Sequence, residues 1–496
     1  LINEEMVKSL FNICLSAVCQ HRLNDHLAHI PIECKQKLLE FFTNHDQLAA
    51  FDCDRLVSSS SFADNLTELK FYLSEDLSDS MLNAFTANNK RLERITLVEC
   101  LRVTDKGVRT VTSGQKNLLQ LELRAMYQLT DAGLTDVHCP FLHTIDISGC
   151  AGVTSLGIRF LVQRNPNLHC LYLNHCRSLD DQALYDIAYY VGERLRVLEL
   201  DFLPALIDPA AALQHLSTRC PNVCQLSLAQ FFNESYNDFP PTVQFKIDGF
   251  NLRDIDLYGN YFVILPELPP TVHSLRLSVN GDENPFELIR SLEAQPYLKS
   301  INLQLTIRDA SIVATPRLFD DSLRLIVECT PNLTHLALDV NHLSTSILQR
   351  FFSGGAKSQG SRLRSLKICR MRITYRVLFA IARGARNLID LETSQMLSVD
   401  DRFLAILGDN CRQLRCINLN GCRWVSDKGM AALARRCPLR EVRIRGTACT
   451  DKSIYTLAQF CPDLEWISYA DYSGRPKFTD KALQFLRDAC IQKVIC

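Results

Sequence analysis

The chain has 496 residues, 47% apolar and 22% charged, and its 54 Lys and Arg nearly balance 55 Asp and Glu. A net charge of −1 supplies no global field to hold nucleic acid or an anionic membrane. No apolar run approaches the roughly 20 residues of a membrane span and no secretory leader opens the chain, so the expectation is a soluble protein, cytoplasmic or nuclear.

The first sixty residues differ in pattern from the rest. Met6, Leu10, Ile13, Cys14, Ala17 and Val18 are spaced as one face of a helix, which fits a cap on whatever follows. The same stretch, Ser9-Leu10-x-x-x-Cys14-x-x-x-Val18, resembles the BC-box by which receptors bind Elongin C, with Leu10 as the pocket-filling anchor. Twelve residues later, Ile30-Pro31-x-x-Cys34-x-x-x-Leu38 resembles a cullin-2 box, the second half of the von Hippel-Lindau box. Cys34 is smaller than the usual aliphatic residue there. The second proline of a cullin-5 box is absent, Ile32 standing next to Pro31.

This resemblance implies adaptor contacts through Ser9, Leu10, Cys14 and Val18, and cullin contacts through Ile30, Pro31, Cys34 and Leu38. A rival reading takes Ile30-Pro31-Ile32-Glu33 through Leu56 as a divergent F-box, with Leu38, Leu39, Phe41, Phe42 and Leu48 on its apolar helix faces. That would bring Skp-one and cullin-1 as partners and leave Ser9 to Val18 unexplained. Either way residues 1–57 form a helical docking region, and 58–496 are something else.

That remainder is a repeat. L-x-x-L-x-L recurs as Leu92-Ile95-Leu97, Leu118-Leu121-Leu123, Leu142-Ile145-Ile147, Leu168-Leu171-Leu173 and Leu195-Leu198-Leu200. It returns as Leu333-Leu336-Leu338, Leu363-Leu366-Ile368, Leu414-Ile417-Leu419, Leu439-Val442-Ile444 and Leu464-Ile467-Tyr469. With weaker copies at 66, 223, 252, 272, 298 and 388 there are sixteen, mostly 24 to 28 residues apart, which suits one short strand and one helix per turn. The predicted fold is an α/β leucine-rich-repeat solenoid, a curved parallel sheet inside and helices outside. Helix starts are written Thr104-Asp105, Thr130-Asp131, Ser426-Asp427 and Thr479-Asp480, the hydroxyl capping an orphan amide and the carboxylate complementing the positive helix end.

Cysteines follow the same grid. Cys100, Cys150, Cys176 and Cys422 trail their strands by one offset, and Cys220, Cys329, Cys411, Cys437 and Cys461 close helices. The 21 Cys, an odd count without CxxC pairs, read as reduced thiols packed as modest hydrophobes. No metal is expected, since pairs such as His169-Cys170 and His175-Cys176 fall short of four convergent ligands. These residues resemble the cysteine-containing leucine-rich repeats of ubiquitin-ligase receptors, especially F-box proteins, over about residues 64–496. The N-terminal arrangement is similar to that of the Zyg-eleven and Zer-one receptors. Those continue into armadillo repeats that carry their substrate pocket, and this chain does not.

The pattern loosens around 229–325, where Phe231 to Phe250 replaces a clean helix and Pro266-Glu267-Leu268-Pro269-Pro270 shortens one repeat. Gly354, Gly355 and Gly360 mark a surface loop, and Gly354-Gly355-Ala356-Lys357-Ser358 lacks the glycines of a phosphate loop. Leu1 is not Met, so the natural chain is expected to begin earlier. Ile491-x-x-Val494-x-Cys496 opens a seventeenth strand, which is either the terminal cap or the start of a further repeat.

No metalloprotease, hydrolase-elbow, Walker or dinucleotide motif is present, and the expectation is a non-catalytic subunit without cofactor. The implied function is substrate recognition for a cullin-2 ligase, with Elongin B/C and cullin-2 as partners. A plain interaction scaffold is the remaining alternative. On the strands, variable positions on the open face would read the substrate: Glu199, Asp201, Asp254, Asp256 and Tyr258, with Asp339, Asp390 and Glu392 further along, then Arg443, Arg445 and Trp466. Acids retained on nearby strands repel one another, which suggests a basic partner segment, and a Trp beside arginines has hot-spot composition.

Overall fold

The computed structural model describes residues 30–44, 62–232, 247–260, 267–280, 292, 295–306, 330–339, 345–354, 358–468 and 477–490. They fall into two compact units divided between Asn260 and Pro270. The first unit carries β1 (Glu68–Tyr72), β2 (Arg94–Val98), β3 (Gln120–Arg124), β4 (Thr144–Asp146), β5 (Cys170–Tyr172), β6 (Val197–Glu199), β7 (Gln225–Ser227) and β8 (Asp254–Leu257). The second carries β9 (Ser274–Asn280), β10 (Ser300–Thr306), β11 (His335–Asp339), β12 (Ser365–Ile368), β13 (Asp390–Glu392), β14 (Cys416–Asn418), β15 (Glu441–Arg443) and β16 (Trp466–Ile467). Each strand begins two residues after the first apolar residue of its sequence unit, from Leu66 before Glu68 to Leu464 before Trp466.

Within each unit the strands pair in parallel and in chain order, so the core position repeats from rung to rung. Leu121, Ile145, Leu171 and Leu198 are successive partners in the first unit, as are Leu366, Leu391, Ile417 and Val442 in the second. All eight are buried, each contributing about 1.5–3 kcal/mol relative to exposure. Helices return the chain between strands. Thr104, Thr130, Ser426 and Thr479 cap them as expected, each accepting an amide of the first turn.

The Asp after the cap does a second job that the helix-end argument does not supply. Asp105 accepts from the amide and hydroxyl of Thr130, both at 2.7 Å, and Asp131 from those of Thr154 at 2.7 and 2.6 Å. In the second unit Asp401 holds Ser426 and Asp427 holds Thr450 in the same way. Each carboxylate therefore ties its helix to the next cap. A glycine three residues after that next cap makes room: a Cβ on Gly157 would collide with Asp131 Oδ1, and one on Gly429 with Asp401 Oδ1.

Cysteines tie rungs together as well. Cys150 Sγ donates to Leu123 O at 2.9 Å, Cys176 to Ile147 O at 3.2 Å and Cys422 to Thr393 O at 3.0 Å, each reaching back to the preceding repeat. Cys220, Cys411 and Cys461 are helix C-caps. Burial pushes the thiols of Cys150, Cys176, Cys220, Cys411 and Cys437 up to about 12, which keeps them protonated and inert. Cys329 lies outside the described residues.

The first strand is covered by helix Ile32–Asn44. Gln36 pairs with the backbone of this strand: its Nε2 donates to Glu68 O at 2.9 Å and its Oε1 accepts from Glu68 N at 3.3 Å. Leu38 and Leu39 are 1% and 2% exposed. Among the described residues no helix is long and apolar enough to cross a membrane.

Candidate functional site

Ser9, Leu10, Cys14 and Val18 lie outside the described residues. Of the expected cullin surface, Pro31 is exposed, Ile30 and Cys34 are half-buried, and Pro31 O starts the helix by accepting from the amides of Cys34 and Lys35, both at 3.0 Å. Leu38 lies on the inner face of the same helix. It is buried in the helix that closes β1, so its side chain serves the solenoid core and only Ile30, Pro31 and Cys34 of that motif face outward.

On the open sheet face of the first unit, the register brings acids into one column. Glu122, Asp146, Tyr172, Glu199, Ser227 and Asp256 are successive partners from β3 to β8. Arg124 balances one end, 3.3 Å from Glu122 and 3.7 Å from Asp146. Glu199 instead accepts from Asn174 Nδ2 at 2.6 Å, and Asp201 from Ser227 Oγ at 2.6 Å and Ala229 N at 2.7 Å. No Lys or Arg forms an ion pair with Glu199 or Asp201 among the described residues. Burial raises the carboxyl pKa of Asp146, Glu199 and Asp201, and neighbouring acids add to it. Burial, with Cys170, Glu199 and Asp146 nearby, likewise pushes Tyr172 up to about 12. Asp254 sits beside this column with Gln225 Nε2 at 3.4 Å, and Asp256 accepts from Tyr258 N at 2.8 Å. The predicted residues Glu199, Asp201, Asp254, Asp256 and Tyr258 thus share one half-buried face. Sequence reasoning had passed over Glu122, Asp146 and Tyr172, which the same repeat position would have yielded.

In the second unit, Arg443 lies over the Trp466 ring at 4.9 Å and 3.8 Å from Glu441. Arg445, on the same edge, donates its amide to Asn420 Oδ1 at 2.8 Å. A cation stacked on an indole is an anchor of moderate strength, about 0.5–1 kcal/mol where exposed. Sequence reasoning missed a hollow of about 520 Å3 over β10–β13, lined by Asn302, His335, Ala337, Arg364, Ser365, Lys367 and Asp390 among others. Its signal was available as the small residues Ser300, Ala337 and Ser365 at open-face positions. The side chain of Asp339 lies outside the described residues. Among those residues, no group of three or more His, Cys, Asp or Glu could hold a metal ion.

Comparison with known proteins agrees with this repeat geometry. The Leucine Rich repeat profile matches residues 410–434, which span helix end, loop, β14 and the following helix. The chain is a leucine-rich-repeat solenoid. A Caenorhabditis elegans protein, named provisionally as RNA-binding protein EEED8.10, is 25% identical over 321 residues, covering 55% of this chain and 43% of the relative. The chain thus spans less than half the length of that curated relative. The solved complex of Rad7 and Elc1 from yeast contains a chain with 16% identity and a TM-score of 0.43, covering 97% of this chain and 93% of that one.

Proposed function

We propose that this solenoid is the substrate-binding subunit of a cullin-2 ubiquitin ligase, joined to Elongin B/C by the N-terminal motif. The observation that carries the reading is the motif order: Ser9-Leu10-x-x-x-Cys14-x-x-x-Val18, then Ile30-Pro31-x-x-Cys34, directly ahead of a repeat domain with an open reading face. Chemistry supports a binding role over a catalytic one. Among the described residues the open faces carry charge columns and a stacked Arg-Trp pair, and buried thiols such as Cys150 are held protonated, which suits recognition. The acid column of the first unit suits a basic segment of the substrate. The burial of Leu38 leaves cullin contact to Ile30, Pro31 and Cys34.

Affinity purification of the full chain tests this. Elongin C is expected in the eluate and is expected to be lost on Leu10→Ser with Cys14→Arg. Skp-one recovered instead assigns the F-box reading, and recovery of neither adaptor leaves an interaction scaffold.

A further inference from the structure

The hollow over β10–β13 belongs to the second unit alone and plays no part in the reading above. Register explains its existence. One open-face column holds Asn302, Ala337, Lys367 and Glu392 as successive partners, and the neighbouring column holds Ser300, His335, Ser365 and Asp390. Side chains on one face of paired strands stand a few ångströms apart, so short ones between long ones leave a depression. Ala337 between Asn302 and Lys367, with Ser300 and Ser365 on either side of His335, makes the floor.

Polar groups line it unevenly. Asp390 is engaged by Ser365 Oγ at 2.7 Å, and His335 Nδ1 is paired with Thr334 Oγ1 at 2.8 Å. Burial lowers the His335 pKa despite Asp390 nearby, which favours a neutral ring with one hydrogen-bonding nitrogen left over. Lys367 has Glu392 at 3.8 Å, a long and half-exposed pairing worth little. Arg364 makes no side-chain hydrogen bond or ion pair among the described residues. The lining therefore holds two cations against one carboxylate that is already hydrogen-bonded.

The cations continue beyond the hollow along the strand-entry edge. There the backbone stacks one repeat on the next: Lys299 N donates to His273 O, Arg364 N to Thr334 O, Arg415 N to Ile389 O and Arg440 N to Arg415 O. Rungs about 4.8 Å apart thus place Lys299, Arg364 and Arg415 on one edge, alternating with Thr334 and Ile389, while Arg440 beyond them is paired with Glu465 at 3.2 Å.

We propose that this hollow captures an Asp or Glu side chain of an extended acidic peptide, its carboxylate met by Arg364 and Lys367 and its backbone by Asn302 and His335. Charge complementarity selects an anion. Ile301, Leu336 and Ile389 also line the hollow, but Arg364, Lys367, His335 and Asn302 around them would gain no partner from an apolar helix, and the lack of any aromatic ring but His335 in the lining selects against a stacked nucleobase. Lys299 and Arg415 on either side reward a chain over a single small anion. The inference stands on the sheet face and needs no adaptor, so it survives or fails independently of the ligase reading.

Fluorescence anisotropy on the full chain tests it, with a labelled glycine-serine peptide bearing three glutamates and its glutamine counterpart as probes. The glutamate peptide is expected to bind and the glutamine peptide to bind at least about tenfold more weakly, the loss of one charge-assisted contact. Ala337→Phe, which fills the hollow without changing charge, and Arg364→Glu are each expected to weaken the glutamate peptide by about tenfold or more, whereas Lys481→Glu leaves it unchanged. Circular dichroism melts confirm folding, and Ala337→Leu replaces any variant that does not fold. Equal affinity for the two peptides, indifference to Ala337→Phe, or stoichiometric displacement by inorganic phosphate or single-stranded RNA would overturn the proposal.

Discussion

The coupling between Asp131 and Gly157 offers a sharp test of what holds neighbouring repeats together. Asp131 accepts two short hydrogen bonds from Thr154, and it is half-exposed, so Asp131→Ala should cost about 2 kcal/mol, less than the sum of two fully buried charge-assisted bonds. Gly157 lies in helix Ser155–Arg164, where Ala is intrinsically better than Gly by about 1 kcal/mol. A Cβ there would collide with Asp131 Oδ1 and come within 3.1 Å of Val153 Cγ1. The carboxylate must shift, and it cannot shift without releasing Thr154. Gly157→Ala alone should therefore destabilise by about 1–2 kcal/mol, the overpacking cost less the helix gain. In the Asp131→Ala background the obstacle is gone and the same substitution should turn neutral or stabilise by up to about 1 kcal/mol, a reversal of sign that single-site propensity cannot produce. Urea unfolding followed by circular dichroism measures the cycle, and hydrogen exchange at the Thr154 amide supplies a local reading if the array unfolds in stages. An equal cost of Gly157→Ala in both backgrounds would show that Val153, not the carboxylate, dictates the glycine.

Asp254→Lys with Asp256→Lys is expected to abolish capture of a basic substrate while leaving Elongin C recovery intact, read by co-precipitation beside a melting curve; a collapsed melt would make those carboxylates structural. The acids also predict two opposite pH responses. Burial pushes Asp427 up, but bonds from Ser453 and Thr450 outweigh it and hold its folded pKa below the ordinary value, so its stabilisation is present above that ordinary value and lost as pH falls through the folded pKa. Asp427→Asn should flatten the acid limb of Tm against pH. Glu199 is raised, chiefly by burial, so protonation favours the folded state and the stability it lends is lost as pH rises through the folded pKa. Glu199→Gln should raise Tm at pH 7, with the advantage gone below the ordinary glutamate pKa of about 4.3; a benefit unchanged across that range would mean that charge is not its cause.

Strands and caps were legible because both are written locally. An apolar residue at every second strand position needs no distant partner to be read, and neither does a hydroxyl that bonds an amide two or three residues on. What escaped is what joins residues 23 to 35 apart: the Asp131–Thr154 bonds, the Cys150 thiol on Leu123, and Ala337 between Asn302 and Lys367. These require the register, and repeats of unequal length hide it until strands are aligned. The turn after each strand escaped for another reason. It takes a positive φ at Gly149 and Gly421, where glycine announces it, but equally at Leu73, Glu99, Ala125 and His175, where nothing in the residue type does. Stacking on both sides over-determines those positions, so composition need not comply.

The N-terminal helix shows why one apolar pattern supported two expectations. A partner-binding helix and a capping helix both need one apolar face, and periodicity cannot say what covers it. The sheet edge gives Leu38 a structural role. Among the described residues no strand precedes β1, and an edge strand leaves backbone donors and acceptors open, which invites pairing with another chain. Here the Gln36 amide occupies Glu68 N–H and C=O, Lys70 joins Glu68 at 2.5 Å and reaches Glu40 at 3.9 Å, and Leu38 and Leu39 close the apolar end below. Turning Leu38 toward a cullin would uncover that edge and forfeit about 1.5–3 kcal/mol of burial, comparable to what a single anchor residue returns in an interface. The helix can serve a partner only through residues the cap does not need; of the expected motif those are Ile30, Pro31 and Cys34, and Ile32, Glu33 and Lys37 are exposed beside them.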